Sequence, residues 1–435
     1  MTLFSNEIKP LVPLYVTMFL EAVGSGLVAS ILNVVARDDL GCSNMQVGII
    51  WSSYNAALII GSLVVGYFSD IVRRKYVLML TLFWVGCGYI VTGFAASFEW
   101  FLVSRVLTGL CGGSFSIAAS ILTANLTPER LPFGIGRLAT VASLGFAIGP
   151  LISSAITAIW HVNSSSPLYI QRLYFFVTSF VYAIAALSAS RLRASLTCPS
   201  TVVNHSAHRG SVTTGLCLIW SSRFFSTCAV TAIYVTQVYM WREYLNLGRI
   251  EISLLTTASG LAVSLGQGFG FPFLVKKIGF HFALTLGIFC IAIACAAIGP
   301  VTVYSGLTSL HIICLLVFWF GVACMEPGTV VAVSRHLKKS SQSGSRSLHT
   351  GLAMGITSAM KYAASLSIPT VAGLLYDRHR ELVYYISAGI CSIGVIVVLL
   401  AGRSYGTLEL ENSNPRKEEE EDASSLHDDT TVDGP

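Results

Sequence analysis

Five charged residues lie inside long apolar runs and are the first candidates for any chemistry this chain performs: Glu21, Arg105, Arg223, Glu326 and Lys361. An ion placed in hydrocarbon costs about 2.5–3.5 kcal/mol even on the lenient insertion scale, so such groups pair with one another or face a water-filled cavity. Glu21 stands about ten residues into the first run, beside Gly24 and Gly26, two glycines that would permit local unwinding. Desolvation favours a neutral carboxyl, whereas water or a nearby cation favours the ionised form. A carboxyl exposed alternately to two solutions can therefore load and release a proton. Glu326 is followed by Pro327 and Gly328, where the proline predicts a kink that frees backbone carbonyls. For both acids the alternative is a structural pair with Arg or Lys. Arg105 would either tune a neighbouring acid or snorkel to the outer surface from near a helix end. Lys361 is placed to contact a solute or to neutralise Glu21 or Glu326. Arg223 reads as a pairing residue towards the cytoplasmic side. Asn55, Tyr234, Gln237 and Gln267 are weaker cavity candidates, equally suited to interhelical hydrogen bonds.

The elements that must carry these residues are membrane helices. Apolar residues make up 54% of the 435-residue chain and charged residues 11%, with a mean hydropathy of +0.70. A soluble domain carries about 25% charged residues, so a water-exposed surface could not be covered. Apolar runs long enough to cross a bilayer predict twelve spans, near 11–36, 46–68, 77–97, 100–123, 137–160, 173–191, 213–236, 251–273, 282–302, 306–333, 351–375 and 384–402. The chain opens without a short cleavable leader, so the first span is expected to be its own insertion signal. With both termini placed in the cytosol, fourteen bases fall in cytosolic loops (Arg73 to Arg346) and six in the opposite loops (Arg37 to Arg380). That is the positive-inside pattern.

The net charge of +5 divides unequally, because from Arg403 onward ten acids meet three bases, leaving −7 in the tail and +12 before it. A positive membrane domain beside anionic lipid needs no nucleic-acid partner, and the acidic tail, 403–435, reads as a solvated, disordered segment. Eleven cysteines, most of them within spans, point to small apolar packing residues rather than a disulfide framework or a zinc site. Asn163-Ser-Ser165 is a glycosylation sequon in an outer loop, while those at Asn125 and Asn204 fall on the cytosolic side.

The polar segment 191–212 separates six spans (1–190) from six (213–402). At an offset of 204 residues, Gly66 to Leu82 lies over Gly270 to Leu286, sharing the first glycine, a base at 73 and 277, and a closing Leu-Thr-Leu. Such a weak duplication is the expected build of a secondary transporter, with the binding site at mid-depth between the halves.

Several segments carry a family resemblance. Gly66-Tyr-Phe-Ser-Asp70-Ile-Val-Arg73-Arg74-Lys75 resembles the G-x-x-x-D-x-x-G-R-K/R signature between the second and third helices of major facilitator transporters. Ser104-Arg105 with Gly109 and Gly112 is similar to the fourth-helix R-x-x-x-G-x-x-G motif. Gly145-Phe-Ala-Ile-Gly149-Pro150 resembles the fifth-helix G-x-x-x-G-P motif of the drug:proton antiporter branch, which includes tetracycline exporters. Thr127 to Gly136, Gly266 to Gly279 and Gly351 to Asp377 are similar to further segments of that branch.

The resemblance implies an all-α membrane protein, twelve transmembrane helices in two pseudo-symmetric six-helix bundles. It implies a cytoplasmic gate at Gly66, Asp70, Arg74 and Lys75, close helix packing at Gly145, Gly149 and Pro150 that limits leakage, and a role for Arg105 in proton coupling. Arg73 departs from the pattern where the turn glycine usually sits, predicting a looser turn or a stronger basic cluster. Asn125 replaces a common Asp. Ser365 stands where relatives carry an Arg, with Lys361 one helical turn earlier.

The expected function is secondary transport of a small organic solute by alternating access, in exchange for protons. A facilitator or symporter, or a non-transporting sensor or scaffold, are the alternatives. Retention of five intramembrane charges argues against an idle pore, and no motif points to an enzyme, cofactor or metal. The carrier is expected to work as a monomer in a plasma membrane or endomembrane, with both termini cytosolic.

Overall fold

The computed structural model describes residues 9–161, 167–197, 213–246, 249–301, 308–342 and 348–405. Among them the chain is helical throughout, as the apolar runs demand: in hydrocarbon every backbone amide needs an internal partner. The first bundle comprises α1 (Val12–Val34), α2 (Asn44–Ile71), α3 (Arg74–Gly93), α4 (Phe98–Leu110), α5 (Ser114–Asn125), α6 (Leu131–His161) and α7 (Pro167–Ser190). The second comprises α8 (Thr214–Glu243), α9 (Arg249–Leu265), α10 (Phe271–Ile278), α11 (Phe280–Pro300), α12 (Thr308–Gln342), α13 (Thr350–Arg378) and α14 (Arg380–Tyr405). Helix starts follow local chemistry. Ser43 caps α2 in a reciprocal box with Gln46, Ser97 caps α4, Thr213 caps α8, and Pro13 opens α1.

These fourteen helices make twelve crossings, because two crossings are interrupted. The fourth, expected as one span over 100–123, breaks at Cys111–Gly113, where Gly113 adopts φ +134°, a conformation that disfavours any side chain. The eighth runs through a π-helical turn, Gly266–Gly270, between α9 and α10. By length and composition, eleven helices of the described residues suffice to cross a membrane. The twelfth crossing is α13, which Thr357, Ser358, Lys361, Ser365 and Ser367 make more polar. Its position explains its composition, because it packs on α2, α5 and α8. Large apolar side chains such as Leu80, Phe83, Phe180, Phe273 and Phe282 are exposed around the periphery, a surface suited to lipid and not to water.

Within the first bundle α1 packs on α6 and α7, and α3 on α7; within the second α14 packs on α8 and α11, and α11 on α12. The bundles meet where α2 faces α13 and α6 faces α9. Glycines set the closest approaches. A Cβ at Gly145 would stand 2.5 Å from the Phe19 carbonyl, and one at Gly149 would run into the backbone of Gly26 and Leu27. The G-x-x-x-G-P segment thus fits α6 against α1 backbone to backbone, with Pro150 inside the helix. Gly24 and Gly26 serve the same purpose. They press on Tyr182 and on the Phe146 carbonyl, and α1 is continuous through them, so the unwinding expected at Glu21 does not occur.

Candidate functional site

The α2–α3 turn consists of Val72 and Arg73 alone. Arg73 sits at φ −53°, ψ 121°, an ordinary conformation, so the turn is tight without the glycine and the expected loosening is absent. Just before it, the buried Asp70 carboxylate accepts the backbone N–H groups of Gly351 and Leu352, each at 2.8 Å, and so caps the start of α13 from the opposite bundle. Gly66 lets the helices close: a Cβ there would lie 2.6 Å from the Gly351 carbonyl. Arg74, also buried, lies 3.7 Å from Asp70 and donates to the Ser120 carbonyl at 3.3 Å. Lys75, by contrast, turns back into its own bundle and donates to the Leu192 carbonyl at 2.9 Å. Asn125, the departure from Asp, donates to the Leu196 carbonyl at 2.8 Å. Further cross-bundle bonds are Thr123 with Ser334 at 2.8 Å and Lys338 with the Leu126 carbonyl at this end, and Ser116 with Ser358 at 2.7 Å deeper in.

Asp70→Ala removes two charge-assisted bonds, each of a kind that contributes about 1.5–3 kcal/mol. The amides of Gly351 and Leu352 are expected to exchange with deuterium at least about tenfold faster in this variant. Peptide-resolved hydrogen exchange checks this, and unchanged exchange would contradict the gate.

Above this closed end, four charged residues sit at a common depth. With a rise of about 1.5 Å per residue, Glu21, Arg223 and Lys361 lie roughly 14–17 Å along α1, α8 and α13 from their ends nearest Asp70. Glu326, on α12, joins the two cations. Its Oε2 is 3.2 Å from Arg223 Nη2, and its Oε1 is 3.2 Å from Lys361 Nζ. Arg223 also donates to the Glu326 carbonyl at 3.3 Å and to Thr329 Oγ1. The carbonyl that precedes Pro327 is therefore put to use, and Arg223 is a pairing residue in the half of α8 nearer the Asp70 end. Exposure rises through the triad, with side chains 3% exposed at Arg223, 20% at Glu326 and 44% at Lys361.

Glu21 is placed differently. Its Oε1 accepts a 2.6 Å hydrogen bond from Ser114 Oγ, and among the described residues it makes no ion pair. Ser114 is the first residue of α5, so the break at Gly113 is what brings this hydroxyl, and the positive end of a helix, to the acid. The phenols of Tyr54, Tyr182 and Tyr362 lie in the field of Glu21, and Tyr362 also feels Arg223 and Glu326. Tyr362 is next to Lys361 in sequence, and the Ser116–Ser358 bond brings α5, which holds Glu21 through Ser114, against the same helix.

Arg105 is buried, which excludes the snorkelling alternative. Its guanidinium donates to Thr92 Oγ1 at 2.7 Å and lies 4.9 Å from the centre of the Tyr89 ring, within the field of Tyr54. Of the weaker candidates, Gln267 accepts a bond from Ser143 across the bundles at 2.8 Å, and Asn55 bonds its own helix at Trp51. Tyr234 stacks edge-on to Trp319, and Gln237 is buried. Asn163 and the tail from 406 onward lie outside the described residues. Sequence reasoning missed Ser114, Tyr54 and Tyr362. The Gly112-Gly113-Ser114 run was the available signal for the first, and the two tyrosines gave none.

Comparison with known proteins fits this arrangement. The chain is 22% identical over 414 residues to the quinolone resistance protein NorA of Staphylococcus aureus, covering 93% of this chain and 99% of that one. Its fold superposes on the human organic anion transporter MFSD10 (TETRAN) with a TM-score of 0.72 at 14% identity, covering 91% and 100% of the two chains. It superposes on the proton:xylose symporter XylE with a TM-score of 0.69 at 14% identity, covering 90% and 94%. Residues 14–207 and 219–427 both match the Major Facilitator Superfamily, and the chain belongs to that family of transporters.

Proposed function

We propose that the protein exchanges a small organic solute for protons by alternating access, with Glu21 as the proton carrier. The observation that carries this reading is a carboxyl within α1 that has, among the described residues, one hydroxyl hydrogen-bond partner and no ion pair. Such a group can be protonated or ionised at the cost of one hydrogen-bond rearrangement. Glu326 is a poorer carrier, since a proton there would break two ion pairs at once. Its part is to hold Arg223 and Lys361 in place.

The bias of bases assigns the Asp70 end to the cytosol. With that end sealed, the described conformation is open to, or occluded from, the opposite side. Breaking the Asp70 cap of α13 would admit the cytosol. The Gly145–Gly149–Pro150 contact of α6 on α1 would keep the first bundle rigid during the rocking motion, in keeping with a leak-limiting role.

The relatives differ in what their names say they handle: quinolones for NorA, organic anions for MFSD10, and xylose with protons for XylE. A ciprofloxacin, an aryl carboxylate and a xylose probe should therefore be tested in proteoliposomes with an imposed pH gradient. Accumulation of at least one of them is expected to follow the gradient and to collapse with a protonophore. Equilibration indifferent to the gradient would contradict proton exchange.

A further inference from the structure

Between the two bundles the charges are arranged as opposite ends of one site. On the first bundle Glu21 offers a carboxylate that no cation of the described residues neutralises. On the second, Lys361 is the most exposed member of its triad, while Arg223, buried behind it, balances Glu326. Ser114 holds Glu21, and Ser116, two residues further along α5, bonds Ser358 at 2.7 Å, one helical turn before Lys361 on α13, so the acid and the triad lie close to one another across the bundle interface. Counting Glu21 and Glu326 against Arg223 and Lys361, the ionised site carries no net charge but is strongly dipolar.

We infer that the solute is a zwitterion with an apolar body, its amine bound at Glu21 and its acid group at Lys361, spanning the two bundles. The reading rests on the exchange function proposed above and names its solute class. A simple organic cation would satisfy Glu21 but face the unpaired side of Lys361. A simple anion would satisfy Lys361 but face the Glu21 carboxylate. A zwitterion satisfies both without displacing Arg223 from Glu326, and the Tyr54 and Tyr362 rings supply apolar and cation–π contact along its length. Competition also follows, because the solute amine and a proton would occupy the same carboxylate in turn. Exchange, and not cotransport, is the outcome of such competition.

The test uses purified full-length protein and a graded set of aminoalkyl benzoates beginning with 4-(aminomethyl)benzoate. Each is compared with its N-acetyl derivative, an anion, and its methyl ester, a cation. Binding is read as the rise in unfolding temperature over a ligand titration. At least one zwitterion of the set is expected to bind about tenfold more tightly than both of its masked forms, the penalty for leaving a charged site group unpaired. Lys361→Gln should erase the preference over the ester and keep that over the N-acetyl form, and Glu21→Gln should do the reverse. Lys361→Arg should retain both preferences. Equal or tighter binding of the ester or the N-acetyl form overturns the inference, as does the absence of binding by every zwitterion of the set. A zwitterion that binds with the expected selectivity but without proton linkage would instead sink the exchange reading and leave the charge class standing.

Discussion

Glu326→Gln is expected to destabilise the second bundle by about 3–5 kcal/mol, the usual cost of stranding a buried charge by removing its partner. The stranded charge is Arg223, 3% exposed and fixed by α8 among α12 side chains. Without the carboxylate it keeps only Thr329 and the residue-326 carbonyl, and its Nε has no hydrogen-bond partner among the described residues. Lys361 loses the same partner at much lower cost, since it is 44% exposed and water can replace what is lost. Lys361→Gln should therefore be mild, and Arg223→Met combined with Glu326→Met should recover much of what Glu326→Gln loses. Thermal unfolding of the wild type and the three variants in one detergent checks the ordering. A Glu326→Gln protein as stable as the wild type would show that the triad is not held by its central acid.

Glu21→Gln is expected to leave the fold intact and to abolish coupling. The amide oxygen still accepts the Ser114 hydroxyl, and no ion pair is broken. What disappears is a group that can change charge, so flux driven by a pH gradient should fall roughly 100-fold, the upper end of ordinary coupling free energies. Exchange of solute for solute with no gradient should survive. In the wild type solute binding should strengthen as pH rises, because proton and solute amine compete for one carboxylate, and this dependence should vanish in the variant. The groups that face Glu21 are the phenols of Tyr54, Tyr182 and Tyr362 and the Ser114 hydroxyl. A pH dependence that persists in Glu21→Gln would assign the proton elsewhere.

Much of this architecture is legible in the residues because the bilayer leaves few choices. Twenty apolar residues in a row have to be a crossing helix, and the spacing of Gly66, Asp70 and Arg74 marks a turn between two of them. The break in the fourth crossing was harder to see, since hydropathy runs through Cys111 and the glycines without a dip. Only the positive φ of Gly113 reveals that α5 starts anew with Ser114 aimed at Glu21. Charges inside helices announce that they must be paired, but not with whom. That Glu326 takes both Arg223 and Lys361, and Glu21 takes neither, is set by how α1, α8, α12 and α13 are rotated about their axes. A single sequence does not encode that rotation in any local pattern. Arg105 illustrates the same point, because its place near the start of α4 suggested the surface, whereas α3 folds over it and buries it against Thr92 and Tyr89.

The most direct test of proton exchange at Glu21 is proton release on solute binding, followed with a pH indicator in weakly buffered detergent solution. Near neutral pH the wild type should release up to about one proton per solute bound, and Glu21→Gln none at the same occupancy. Saturating binding without release in the wild type, or equal release from Glu21→Gln, would contradict the account.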